Sequence, residues 1–229
     1  MKSTLGMKNS GFTLIEVLVA MAISGVVMAG VFAAFKSQQD SYSAQDQVVE
    51  MQQNIRAAAE LLAQDIRTAG YDRTRSAGAG VVTAIVGLLG FTQDLNANGD
   101  TVDTDEAVTY GFSLADDAGS DGIADSGGAP LGRNSGTANG VGGGGFQPIA
   151  ENFHAIEFRY LDSDGIVTAT AGDIRTIQIS MLARARRPDP NYTHSTTYQT
   201  PSGINWGPYN DHFRRRFQTI TVLCRNLGM

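Results

Sequence analysis

Lys8-Asn9-Ser10-Gly11-Phe12-Thr13-Leu14-Ile15-Glu16-Val17-Leu18-Val19-Ala20-Met21-Ala22-Ile23-Ser24-Gly25-Val26-Val27-Met28-Ala29-Gly30-Val31-Phe32-Ala33-Ala34-Phe35 is the stretch on which the reading of the fold turns. From Phe12 to Phe35 about two dozen residues run almost without polar interruption, enough for a helix to span a bilayer. Thr13 and Ser24 can bond back to their own helix. Glu16 is different, because an ionisable group in a membrane segment is costly and marks a functional position. The leader ahead of the run carries Lys2 and Lys8, which favours a cytoplasmic N-terminus. A secretory signal peptide places its small residues after the apolar stretch. Here the small residue, Gly11, precedes it, so a cut at that point would remove residues 1–11 and leave the apolar helix on the chain.

The run Gly11-Phe12-Thr13-Leu14-Ile15-Glu16 resembles the class III signal of type IV prepilins and type II secretion pseudopilins. The resemblance implies cleavage between Gly11 and Phe12 by a prepilin peptidase and N-methylation of the new Phe12 amine. It also implies that Glu16 neutralises the N-terminal amine of a neighbouring subunit in a filament. A carboxylate and an amine buried in apolar surroundings are tolerable only as a pair.

Beyond Phe35 the chain turns polar. Val48, Met51, Ile55, Ala58, Leu62 and Ile66 recur at spacings of three and four, an apolar stripe at helical period. No proline interrupts Phe12 to Ala69, and Gly70 is placed as a helix stop. The pattern predicts one helix of nearly sixty residues, roughly 85 Å at 1.5 Å per residue. Its first part, residues 12–35, belongs to membrane or filament core, and residues 36–70 form an amphipathic continuation. Gly25 and Gly30 are its weak points. Many major pilins kink near the position of Ala33 with a proline that this chain lacks.

Residues 71–229 read as a β-rich globular domain, periplasmic or extracellular. Residues 80–91 lead into a first strand, and Ala107 to Leu114 is a second, with partial alternation. Residues 116–145, rich in Gly, Asp, Ser and Ala, have too few large apolar side chains to order as a core element, and read as a long surface loop. Strands resume at Ile156 to Leu161 and Ile174 to Ala183, with a turn at Asp162-Ser163-Asp164-Gly165. Pro188 and Pro190 end the second of these, and a Tyr-, Thr- and Asn-rich loop runs to Asp211. Phe217 to Leu223 is the final strand. The fold class is α+β, a long N-terminal helix packed on an antiparallel sheet, and this too resembles pilins. Ile66 to Asp72, with Phe213-Arg214-Arg215-Arg216-Phe217 and Cys224-Arg225-Asn226, resembles PilW-like minor pilins.

The net charge of −6 becomes two charges more acidic once Lys2 and Lys8 are removed, which argues against nucleic acid as a partner. The single cysteine, Cys224, excludes an intrachain disulfide. His154, His194 and His212 lack metal-ligand spacing, and Gly142 to Gly145 lack the Lys-Ser/Thr of a phosphate loop. No catalytic set is legible, so no enzyme is expected.

One stretch has metal-binding spacing: Asp94-Leu95-Asn96-Ala97-Asn98-Gly99-Asp100-Thr101-Val102-Asp103-Thr104-Asp105-Glu106. Oxygen side chains at alternate positions followed by glycine match the opening of an EF-hand calcium loop. Asp94, Asn96 and Asn98 would ligate Ca²⁺ through side chains and Asp100 through its carbonyl, with Asp105 or Glu106 closing the shell. The competing reading is a solvated Asp/Asn turn. Asp117, Asp121 and Asp125 form a weaker version. Arg184, Arg186, Arg187, Arg214, Arg215, Arg216 and Arg225 gather positive charge in the C-terminal half. They read either as solvated or internally paired residues or as a docking face for an acidic neighbour.

The resemblance implies a minor pilin of a type IV pilus that waits in the inner membrane and then enters the filament at or near its tip. Its partners would be prepilin peptidase, the other minor pilins, the major pilin and the inner-membrane assembly platform. The alternatives are a type II secretion minor pseudopilin of the J type and a calcium-dependent adhesin displayed on the pilus.

Overall fold

The computed structural model describes residues 11–136 and 145–228. The leader, residues 1–10, and the glycine-rich stretch 137–144 lie outside the described residues, with the expectations placed on them. The chain divides into two units, Met1–Gln45 and Asp46–Met229.

In the first unit, helix α1 (Leu14–Ile66, 53 residues) begins two residues later than the apolar run. Phe12 and Thr13 stay non-helical because Thr13 caps the helix. Every side chain from Gly11 to Tyr42 is exposed, Phe12 by 90%. This is the one helix among the described residues that is long and apolar enough to cross a membrane.

In the second unit the stripe read from the sequence is the packed face. Met51, Ile55, Ala58, Ala59, Leu62 and Ile66 are buried, and Val48 is partly buried against them. The helix ends at Ile66 rather than Ala69. Thr68 and Ala69 donate to the carbonyls three residues back, tightening the last turn. Gly70 then reverses the chain at φ +76°, where a β-carbon would collide with the Leu227 side chain.

A seven-stranded antiparallel sheet packs on that helix face. Its strands are β1 (Val81–Ala84), β2 (Leu88–Thr92), β3 (Ala107–Gly111), β4 (Ala129–Gly136), β5 (Gln147–Leu161), β6 (Thr176–Arg184) and β9 (Arg215–Leu223). Strands β1 to β6 follow one another as a meander, and β9 returns beside β6 in a nine-residue register from Thr176↔Leu223 to Arg184↔Arg215. Between them a two-stranded hairpin, β7 (Tyr198–Gln199) and β8 (Asn205–Trp206), sets Trp206 against Ala155 and Leu182. Leu89, Phe91, Tyr110, Leu131, Ile156, Phe158, Ile177 and Ile179 form the main core with the helix.

Three expectations change. Residues 80–91 hold two strands joined at Ile85 to Gly87, not an approach to one. The loop expected over 116–145 contains β4, which lies between β3 and β5 inside the sheet and buries Ala129, Leu131 and Gly132. Its small residues hid it: a β-carbon on Gly132 would collide with the Phe146 side chain, so the composition that suggested a loop is what lets that ring lie against the strand. The long loop to Asp211 also contains structure, the β7–β8 hairpin.

Candidate functional sites: the N-terminal motif and the acidic loop

Around Gly11 the chain places nothing within reach of a β-carbon, so the fold itself does not require glycine there. Thr13 and Glu16 close a reciprocal capping box over the helix start. The Thr13 N–H donates to Glu16 Oε2 at 2.8 Å, the Thr13 hydroxyl donates to the same oxygen at 2.9 Å, and the Glu16 N–H donates to Thr13 Oγ1 at 3.4 Å. Within one chain, then, Glu16 is held by its own helix terminus through one oxygen. Its Oε1 has no hydrogen-bond partner among the described residues. The motif was legible in the sequence; the capping box, written as Thr-x-x-Glu, was legible too but went unread.

The acidic stretch forms the connection from β2 to β3, residues 93–106. Asp94, fully buried, accepts the Gly99 N–H at 3.1 Å through Oδ2, while its Oδ1 is buried without a partner. Asn96 and Asn98 accept the N–H groups of Asn98 and Asp100 in successive turns. Their side-chain amides both donate to Asp103 Oδ2, at 2.7 and 2.8 Å. Glu106, 1% exposed, accepts the N–H of Leu95 at 3.0 Å and that of Asp103 at 3.3 Å. Carboxylate oxygens of Asp100, Asp103 and Glu106 lie within 4.8 Å of one another. Asp94, expected to open the shell, lies outside this group, and so does Asp105, expected to close it. The Asp105 backbone is left-handed (φ +68°), its side chain is exposed, and its carbonyl accepts the Gln93 amide. Asp103 groups with Asp100 and Glu106 instead.

The second acidic set is used up by the backbone. Asp117 accepts the N–H groups of Asp121 and Gly122, and Asp125 accepts that of Ala118. The Asp162 carboxylate likewise closes its own turn.

The arginines divide. Arg215 is buried, paired with Asp211 through two bonds of 2.6 and 2.7 Å, and lies 4.0 Å over the Tyr209 ring. Arg214 pairs with Asp189 at 2.7 Å and covers Tyr192, and Arg184 covers Phe213. Arg186, Arg187, Arg216 and Arg225 are exposed. Arg215 holds the Asp211 carboxyl down to about 2 through its hydrogen bonds. Burial first, and then the Arg215 charge, depress His154 to about 4.

Sequence reading missed Asp65. Its Oδ2 accepts the Tyr110 hydroxyl at 2.7 Å and Arg133 Nε at 2.8 Å, joining helix, β3 and β4. It also missed how the two PilW-like stretches meet: Asn226 donates to the Arg67 carbonyl at 2.9 Å and Leu227 fills the space beside Gly70.

Residues 6–32 match the prokaryotic N-terminal methylation motif, and residues 140–226 match the type IV pilus-assembly protein W family. No curated protein matches the chain in sequence. Among solved structures, a type IV-like pilin from Thermus thermophilus is similar at 17% identity and a TM-score of 0.51, over 77% of this chain and 98% of its own. At that identity the likeness speaks for the fold. The chain thus carries a match to the methylation motif at one end, a match to the protein W family over residues 140–226, and a fold similar to that of a type IV-like pilin.

Proposed function

We propose that the chain is a minor pilin, a structural subunit rather than an enzyme, which helps to prime a type IV pilus and sits at or near its tip. It is made as an inner-membrane precursor with its N-terminus in the cytoplasm and its C-terminal domain in the periplasm. Prepilin peptidase cuts between Gly11 and Phe12, and the Phe12 amine is methylated. The other minor pilins, the major pilin and the assembly platform are its partners.

The observation that carries this reading is the helix start. An apolar helix with no cover from its own chain begins just after a glycine that the fold does not need, and its acid keeps one oxygen free. In apolar surroundings that oxygen requires a cation, and a neighbouring subunit's N-terminal amine is one of suitable size and charge.

Two variants separate assembly from capping. Glu16→Ala removes both the cap and the free oxygen, whereas Thr13→Ala removes only the cap, worth about 1 kcal/mol. Both should insert in the membrane. In sheared filaments Glu16→Ala should fall well below wild type, because a buried unpaired amine costs about 3–5 kcal/mol, and Thr13→Ala should stay near it. Equal incorporation of Glu16→Ala and wild type contradicts the pairing role. Co-purification with major pilin supports the pilus, whereas co-purification with secretion components assigns the chain to type II secretion instead.

A further inference from the structure

We infer that the β2–β3 connection is a calcium site, closed by Asp103 and Glu106 rather than by Asp105. A hairpin connection of this length with no regular structure of its own is uncommon and usually functional. Here it gathers Asp100, Asp103 and Glu106 within 4.8 Å of one another. None of the ion pairs among the described residues involves them or Asp94. Three crowded carboxylates alone are no site, since exposed acids often cluster.

Asp94 is the second, independent observation. Its carboxylate is fully buried and faces the first half of the loop, where Oδ2 accepts the Gly99 N–H at 3.1 Å; the Thr74 hydroxyl donates to the same oxygen at 3.4 Å. Its Oδ1 has no partner among the described residues. A buried carboxylate oxygen without a donor is costly, and a cation in the loop would satisfy it. An all-oxygen donor set suits a hard cation. An irregular loop with several anionic oxygens suits Ca²⁺, which accepts flexible geometry and many protein ligands. Mg²⁺ is less suited, since it demands near-octahedral geometry and keeps its waters.

The loop is tied to the end of α1: Asp94 donates its N–H to the Tyr71 carbonyl, and Gly70 donates to the Thr92 carbonyl. Calcium would therefore brace the segment that leaves the helix against the sheet. The inference does not rest on the pilin reading, because it concerns only this chain's own oxygens.

The test is calorimetric titration of calcium chloride into the full chain in detergent after chelator treatment, repeated with magnesium chloride. Wild type should bind one Ca²⁺ per chain with Kd of about 10⁻⁴ to 10⁻³ M, the range of extracellular modules, and bind Mg²⁺ more weakly. Asp103→Asn should weaken calcium binding about tenfold or more through loss of a charged ligand. Asp105→Asn, which keeps a residue tolerant of the left-handed backbone, should leave it within about twofold. The inference is overturned if wild type shows no calcium binding, if magnesium binds equally well, or if Asp105→Asn loses as much affinity as Asp103→Asn. The wild-type titrations decide the metal even where a variant fails to fold.

Discussion

Asp65 and His154 show what single side chains contribute that spacing alone could not reveal. Asp65 stands at the edge of the packed stripe, three residues after Leu62, and is half-buried. Its partners, Tyr110 and Arg133, stand 45 and 68 positions further along the chain, and only the sheet brings them to it. Burial, reinforced by the adjacent Asp65 charge, pushes the Tyr110 hydroxyl well above its usual pKa, so it remains a donor. His154 packs 4.2 Å from the Tyr209 ring with Arg215 beside it, and is neutral in the folded chain. Its folded pKa of about 4 lies below the ordinary 6.5. As pH falls below 6.5 the unfolded chain takes up a proton that the native His154 refuses, and stability drops until about pH 4, where the contribution levels off. The loss attributable to this group is at most about 3 kcal/mol. Denaturant unfolding at steps from pH 7 to pH 4 should show that decline, and His154→Gln should flatten it. An unchanged slope in the variant would place the titration elsewhere.

Among the elements, α1 was readable because both of its halves carry their environment in their pattern: an unbroken apolar run, then a stripe at helical period that turned out to be the buried face. Strands β5, β6 and β9 were readable in part, because their larger side chains alternate. Strand β4 was not. Ala129, Leu131 and Gly132 lie inside the sheet, but Arg133 is drawn out to Asp65 and the rest of the strand is Asn, Ser and Gly, so the pattern reads as a turn-rich loop. The acidic loop was half legible. Asn96 and Asn98 close successive turns, as their spacing suggests, but the left-handed backbone at Asp105, invisible to spacing, leaves that side chain exposed, and Asp103 groups with Asp100 and Glu106 instead. The β4 assignment has a direct check. Leu131 is fully buried, so Leu131→Ala should cost about 2–5 kcal/mol in equilibrium unfolding. A cost below about 0.5 kcal/mol, the level of a surface substitution, would return the segment to a loop.

On the scale of the whole molecule the chain combines two solvents in one polypeptide. Its second unit folds as water-soluble proteins do, with a helix face and a sheet sharing one core. Its first unit presents an apolar helix that its own chain leaves bare, and large exposed apolar surfaces mark membrane or protein contacts. On the function proposed above, removal of the leader at Gly11 would connect the two states, membrane precursor and filament subunit, and free the amine that a neighbour's Glu16 would meet. The central claim is therefore a statement about the N-terminus. Mass spectrometry of the chain recovered from sheared surface filaments tests it most directly. The account predicts a chain that begins at Phe12 and carries one added methyl group on that amine, and a chain in those filaments that still begins at Met1 would contradict it.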